Sequence, residues 1–400
     1  MSSMYRLPAL EQIPDFSSLD YVGDYSQHFL DTKRSKGDPL ADAVVAKLAE
    51  SNALKGFHDL LGEVRQRAKS EGGIYQEFLT ACNTIPVWAN FNDMKRGQRM
   101  LASFAPYMGL SLFAGSLVGG AVFQKMAMIT AMTGMLGGSA TSRLDETSAM
   151  VLRMAFPGKI EPGGEAHEVL VRVRLLHAAI RRYLVDSGKF IHETEVPINQ
   201  QDLAITLGLF GYLNVRSLGM MGVKLKEKEL LSYNLLWRYA GFVLGIDEDL
   251  LPNTIQDQQA FFIASLKHQA RPEKMKPQTK KLLDDVADMA AKQNPWLPRS
   301  MVQKFLHQIC RWLSGDDYVT GMELENAGEY WALKALKLSG QITRFTYYYV
   351  PKGDRVLYAL GAGAYKAHLQ RLDRKKGAYR VRTNESAALK THREVAAKRV

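Results

Sequence analysis

Twenty-three consecutive residues, Leu101 to Phe123 (LASFAPYMGLSLFAGSLVGGAVF), carry no formal charge. A run of that length has two homes. One is a bilayer, which about 20 apolar residues span as a helix; the other is the middle of a protein large enough to surround it. Pro106, four glycines and several serines and alanines dilute its hydrophobicity, and the sequence reading finds no second run of the kind. A buried helical hairpin or broken helix is therefore expected. A chain of 400 residues, 46% hydrophobic and 23% charged, can bury such a run without a membrane. A segment this rich in small residues also lets something flat or bulky approach its backbone.

The rest of the chain reads as helices. Apolar stripes predict one helix over Ala41–Arg67, a shorter one over Tyr75–Cys82 stopping near Pro86, and others over Ser139–Ala155 and Glu165–Asp186. Pro157-Gly158 and Pro162-Gly163-Gly164 separate the last two. Further helices are expected at Gln200–Leu213, Glu227–Leu244, Ile255–Gln269, Gln278–Lys292 and Arg299–Leu313. The β-branched and aromatic run Ile342–Leu360 fits a hairpin about PKGD or a helix–turn–helix equally well. No internal repeat, strand–helix alternation or G-x-G-x-x-G after a strand is present. The expected fold is all-α, a globular multi-helix bundle. It divides into an irregular N-terminal arm (1–40, punctuated by Pro8, Pro14, Gly23, Gly37 and Pro39), a helical domain (41–375) and a basic C-terminal tail (376–400).

Two cysteines, Cys82 and Cys310, supply neither a disulfide framework nor a four-ligand zinc site. With no basic-then-apolar leader in MSSMYRLPALEQIPDF, no secretory signal is read and a cytoplasmic setting is expected. Much of the net charge of +11 lies in the C-terminal stretch. That stretch reads as a solvated tail or as a peripheral contact with anionic lipid. No aromatic-interleaved motif supports nucleic acid as a partner.

The chemistry concentrates in VLVRVRLLHAAIRRYLV, Val169 to Val185. On a helix, Val169, Leu170, Val173, His177, Ile180 and Leu184 share one face, while Arg172, Arg174, Arg181 and Arg182 lie mainly towards other sides. A lone inward histidine is commonly a hydrogen-bonded core residue, yet neutral imidazole is also the commonest metal ligand. The other histidines form no recognisable His/carboxylate spacing. A haem needs one strong axial ligand and an apolar slot, so it suits a solitary histidine better than a non-haem triad does. The preceding helix places Arg143, Glu146, Thr147, Met150 and Met154 on one face. That is either a cation, a proton carrier and a hydroxyl beside an apolar wall, or surface pairing with methionine core filling.

Six segments, in order, resemble the latex clearing protein (rubber oxygenase) and MpaB-type oxygenase family. They are Pro86–Leu101, Met132–Leu136, RLDET at Arg143–Thr147, VRLLHAAIR at Val173–Arg181, VPINQQDL at Val196–Leu203 and Leu235–Pro252. The resemblance is strongest over 75–253. It implies a bundle enclosing b-type haem, with His177 as proximal iron ligand and Arg143 and Thr147 as the polar pair beside the haem. Dioxygen would be activated opposite His177 against an apolar small-molecule substrate, of isoprenoid or alkene type, with an unidentified electron donor. Two departures stand out. Glu146 occupies the position where the rubber oxygenase has a lysine serving as removable distal ligand. No Asp or Glu lies between Lys95 and Leu144, where that enzyme carries its acidic base. Glu146 is therefore the candidate proton handler, and the sixth iron position is expected open or water-occupied. The competing expectations are a haem peroxidase or peroxygenase, and a non-enzymatic lipid- or membrane-associated helical binding protein. Asn199 is expected to cap the helix that holds Gln200, Gln201 and Asp202. Trp237 and Arg238 are expected to serve packing and an internal salt bridge.

Overall fold

The computed structural model describes residues 25–51, 59–134, 140–271, 277–293, 296, 298–315, 318–319, 324 and 331–374. Among these the regular elements are helical, with one isolated antiparallel bridge between Phe123 and Ala270. The basic tail beyond Arg374 lies outside the described residues.

The chain begins with α1 (Gln27–Arg34), α2 (Pro39–Glu50), α3 (Leu60–Ser70), α4 (Gly73–Asn83) and α5 (Phe91–Ser103). Two expectations change here. Part of the stretch read as an irregular arm is helical, because Ser26 caps α1 and Asp38 caps α2, whose first residue is Pro39. The single helix expected over Ala41–Arg67 is two, since α2 ends at a Ser51 cap and a left-handed Asp59 starts α3 by accepting the Gly62 N–H.

The uncharged run is a helix broken within itself. After α6 (Ala105–Leu110) it widens to a π-helix over Ser111–Val118, then tightens to a 3-10 turn over Gly119–Val122. Its small residues explain the fit. The Ser111 and Ser116 hydroxyls donate to the carbonyls of Asn214 and Leu209, and Ser314 donates to that of Ala114. A Cβ on Gly115 would meet the Ser217 side chain. The partners are α10 (Gln200–Phe210), α11 (Tyr212–Met220) and α15 (Arg299–Ser314). Gln200–Met220 is itself long and apolar enough to cross a membrane, which corrects the expectation of a single such run. It is overwhelmingly buried, and the two runs pack on each other.

Between these lie α7 (Gln124–Gly134), α8 (Ala140–Met154) and α9 (Glu165–Asp186). Then come α12 (Glu227–Val243), α13 (Ile255–Gln269) and α14 (Pro277–Gln293) before α15, and α16 (Trp331–Tyr349) and α17 (Gly353–Arg374) after it. Helix α12 packs on α5, where a Cβ on Gly97 would press into the Ser232 carbonyl. The aromatic run around PKGD adopts the helix–turn–helix alternative, with Lys352 left-handed in the turn.

Helix α9 is pinned by an ionic ladder. Arg174 donates from Nε and Nη2 to both oxygens of Asp38, at 2.6 and 3.1 Å. One step along, Arg181 donates to Asp42 at 2.9 Å and to the carbonyl of Ile198. The two arginines and Asp38 are buried, and Asp42 accepts the Asp38 N–H at 3.1 Å. Arg174 and Arg181 lie, as expected, to another side than His177, and that side is the α2 face of α9.

Breaking a buried pair strands a charge, which costs about 3–5 kcal/mol. Arg174→Met should therefore destabilise the protein by about that much in urea unfolding. Asp38→Asn/Arg174→Met should regain more than half of the loss, because asparagine keeps the cap and removes the stranded charge.

Candidate functional site

Helix α8 packs on α9 and is set by its C-terminal end. The buried Gln98 amide donates to the carbonyls of Met154 and Phe156, both at 2.9 Å. Arg153 pairs with Asp373 of α17 at 2.8 Å. Met150 and Met154 are buried, as core filling would have them. Glu146 is half-buried and Thr147 is open to solvent. The Arg143 side chain lies outside the described residues; its backbone sits one helical turn before Thr147 on α8.

His177 occupies the middle of α9, next around the helix from the arginine stripe. Along its own side Val173, Leu176 and Ile180 are only partly buried, whereas Leu170, Arg174, Ala178 and Arg181 are fully packed. The stripe expected to point into core thus borders a less tightly packed apolar zone. Ile180 packs against a small cluster of Ile129 from α7 with Tyr183 and Leu184, which brings α7 beside the histidine's helix.

Within this setting His177 keeps some exposure, but its Nδ1 is sealed from solvent and has no hydrogen-bond partner among the described residues. Burial pushes its pKa down to about 4, the Arg181 charge adds to the fall, and Asp38 opposes it. The ring is therefore neutral at ordinary pH and offers a lone pair. Among the described residues no three His, Cys, Asp or Glu gather as a metal set.

The sequence reading missed a second buried charge cluster. Arg34 donates to Asp202 at 3.0 Å, Gln201 at 3.2 Å and Glu195 at 2.8 Å. Lys125, at the start of α7, also pairs with Glu195. Burial alone would raise the Glu195 pKa, but these two cations bring it down to about 2. The cluster joins α1, α7 and α10 and explains why Gln201 and Asp202 are buried. Asn199 caps α10 as expected, accepting the Asp202 N–H at 2.9 Å. Trp237 packs, stacked on Phe210 at 4.8 Å, but the salt bridge expected of Arg238 is replaced by a guanidinium lying 4.1 Å above the Trp88 ring.

The depressed His177 pKa has a signed consequence. An unfolded histidine, with pKa near 6.5, binds a proton that the folded one refuses until about pH 4. Stability from this group is complete above about pH 6.5 and is lost as pH falls through that window, by roughly 2 kcal/mol after allowing for the partly exposed ring. His177→Gln should unfold with a correspondingly shallower loss of stability between pH 7 and 4.5, read from denaturant midpoints. An unchanged slope would show that the ring is not held neutral by its surroundings.

Three comparisons agree with this architecture. A structure of latex clearing protein in the closed state superposes with a TM-score of 0.60 at 18% identity, covering 84% of this chain and 90% of that one. That likeness shows the same all-α fold. The rubber oxygenase of Streptomyces sp. (strain K30) is 23% identical over 225 residues, 54% of this chain and 55% of its own length. The chain thus spans about half the length of the curated relative it matches. Residues 106–344, more than half of the chain, match the family model described as ER-bound oxygenase mpaB/B'/rubber oxygenase, catalytic domain. From the uncharged run through the histidine helix and on into α16, this chain belongs to that oxygenase family.

Proposed function

We propose that this protein is a haem b-dependent oxygenase acting on an apolar, alkene-containing substrate of isoprenoid type, and that His177 would be the residue that holds the iron. The observation that carries the reading is the state of His177: mid-helix, neutral, with a buried ring nitrogen left unpaired, in a family of oxygenases. The surroundings fit the group. A flat macrocycle needs apolar flanks with room beside them, and the partly buried Val173, Leu176 and Ile180 line the side of α9 on which His177 sits. When bound, haem b would supply the one-electron and dioxygen chemistry that amino acids lack.

The chain's own contribution is positional and electrostatic. Burial, helped by the Arg181 charge, keeps His177 deprotonated, and the anchorage of Arg174 and Arg181 to α2 fixes the helix that carries it. Arg143 and Thr147, one turn apart on the neighbouring α8, are assigned as the cation and hydroxyl donors for developing negative charge. Glu146, half-buried on the same helix, is assigned to move a proton, a role left open by the lack of any Asp or Glu between Lys95 and Leu144. Apolar side chains of the uncharged run and of α7, Ile129 among them, exclude water from the substrate. The relative that matches here is named a rubber oxygenase, which supports the apolar, polyisoprene-like substrate class.

Purified protein should show a Soret band and a b-type pyridine haemochrome, lost or strongly shifted in His177→Ala. A wild type that stays colourless after reconstitution with haemin would sink the assignment. With the cofactor in place, Glu146→Gln should slow oxygen-dependent turnover on the order of a hundredfold while leaving the Soret band intact. Turnover at the wild-type rate across the pH range would remove Glu146 from the mechanism. Turnover supported by peroxide without dioxygen would favour the peroxygenase alternative.

A further inference from the structure

The α16–α17 hairpin is fastened on one side and bare on the other. Leu333 is buried, Phe104 packs on Tyr347, and the Tyr107 hydroxyl lies 3.1 Å from that of Ser339 and 3.0 Å from that of Thr343. Gly340 of α16 lies so close to the Met221 carbonyl, and Gly361 of α17 so close to that of Ala102, that any Cβ would collide. Both helices are therefore held rigidly against the body, and what they expose is fixed.

Trp331, Leu338, Ile342, Phe345 and Tyr349 are each more than half exposed, at 57–67%. At 100° per residue they fall within an arc of about 60°, a straight apolar stripe some 27 Å long. On α17, one turn apart, Val356 and Leu360 are also exposed, at 55% and 67%. Scattered exposed hydrophobics need no explanation, but a contiguous row on one rigid face does.

The charge around the stripe is one-sided. The hairpin carries eight Lys or Arg, among them Lys334, Lys352, Arg355 and Arg374, against Asp354 and Asp373 alone. Arg371 and Arg374, with Ala367 and Gln370, line a concavity of about 490 Å³ on α17. The 26 residues that follow α17 add eight more Lys or Arg against two Glu. A protein partner would need acidic and apolar groups interleaved to match. A bilayer bearing anionic headgroups offers both chemistries at once, with aromatic residues such as Trp331 and Tyr349 suited to the interface.

We infer that the exposed face of the α16–α17 hairpin is a docking surface for anionic lipid, on which the protein lies peripherally with Ile342 and Phe345 in the acyl boundary. None of the residues of this surface is among those assigned to the cofactor or the chemistry. The uncharged Ala105–Val122 run, though long enough to span, is packed against α10, α11 and α15 over about half of its residues.

Flotation of the full chain with vesicles tests this, using phosphatidylcholine alone and phosphatidylcholine mixed with phosphatidylglycerol. Wild type should float with the mixed vesicles at least about tenfold more than with neutral ones, and added salt should reduce the difference. Ile342→Asp/Phe345→Asp should abolish flotation, and Lys334→Glu/Lys352→Glu/Arg355→Glu should lower it about tenfold or more; all these residues are surface-exposed, and an unchanged thermal transition would confirm folding. Flotation unchanged in the apolar variant, or absent in wild type, would overturn the inference. So would a solution mass of two chains that falls to one in the apolar variant, which would make a second copy the occupant.

Discussion

The Asp38–Arg174 and Asp42–Arg181 pairs decide where everything else on α9 faces. Burying a guanidinium is costly unless its charge and donors are matched, and here two carboxylates on successive turns of α2 match two arginines two turns apart on α9. The match fixes both the rotation and the height of α9. With the arginines turned to α2, His177, about 60° around the helix, is turned to the looser apolar zone. Burial in that zone is the main reason its pKa falls to about 4; of the ladder, Arg181 adds to the fall and Asp38 opposes it.

His177 was legible in the sequence because a single polar residue in an apolar 3.6-residue period stands out. That its neighbours Arg174 and Arg181 are buried in ion pairs was not legible. Helical periodicity sorts residues by polarity and sends charge outward unless a partner is known. The partners lie 136 and 139 residues earlier in the chain, Asp38 at the end of the stretch read as irregular and Asp42 at the start of the helix expected after it. Pairwise electrostatics over such separations leave no local pattern. The Arg34 cluster was hidden likewise, its acceptors being 161 to 168 residues away.

Other differences follow from geometry that mean hydropathy does not encode. Around Gly211 the helix expected to start at Gln200 breaks and restarts, because the Gln258 side chain occupies the space a Cβ would need and accepts the Tyr212 N–H at 2.7 Å. The π-helix of Ser111–Val118 similarly answers to serines that reach neighbouring carbonyls. In Ile342–Leu360, aromatic and β-branched content argued for strand as strongly as for helix. Tertiary contacts decide it: Tyr347 against Phe104, and the Tyr348 hydroxyl donating to Glu229 at 3.1 Å.

The two kinds of apolar segment end up on opposite sides of the surface from where hydropathy alone would put them. The most apolar runs, Ala105–Val122 and Gln200–Met220, are apolar all round, so each can be covered from every direction, and they cover each other. Helix α16 is less apolar as a whole, but it has two apolar faces. One is used up by contacts with Met221, Phe104 and Tyr107, the last reaching Ser339. What remains is a stripe that folding alone cannot bury, because its own flanks are charged. Hydropathy averaged along a chain measures how much apolar surface exists. Its angular distribution determines whether the fold can consume that surface or must present it.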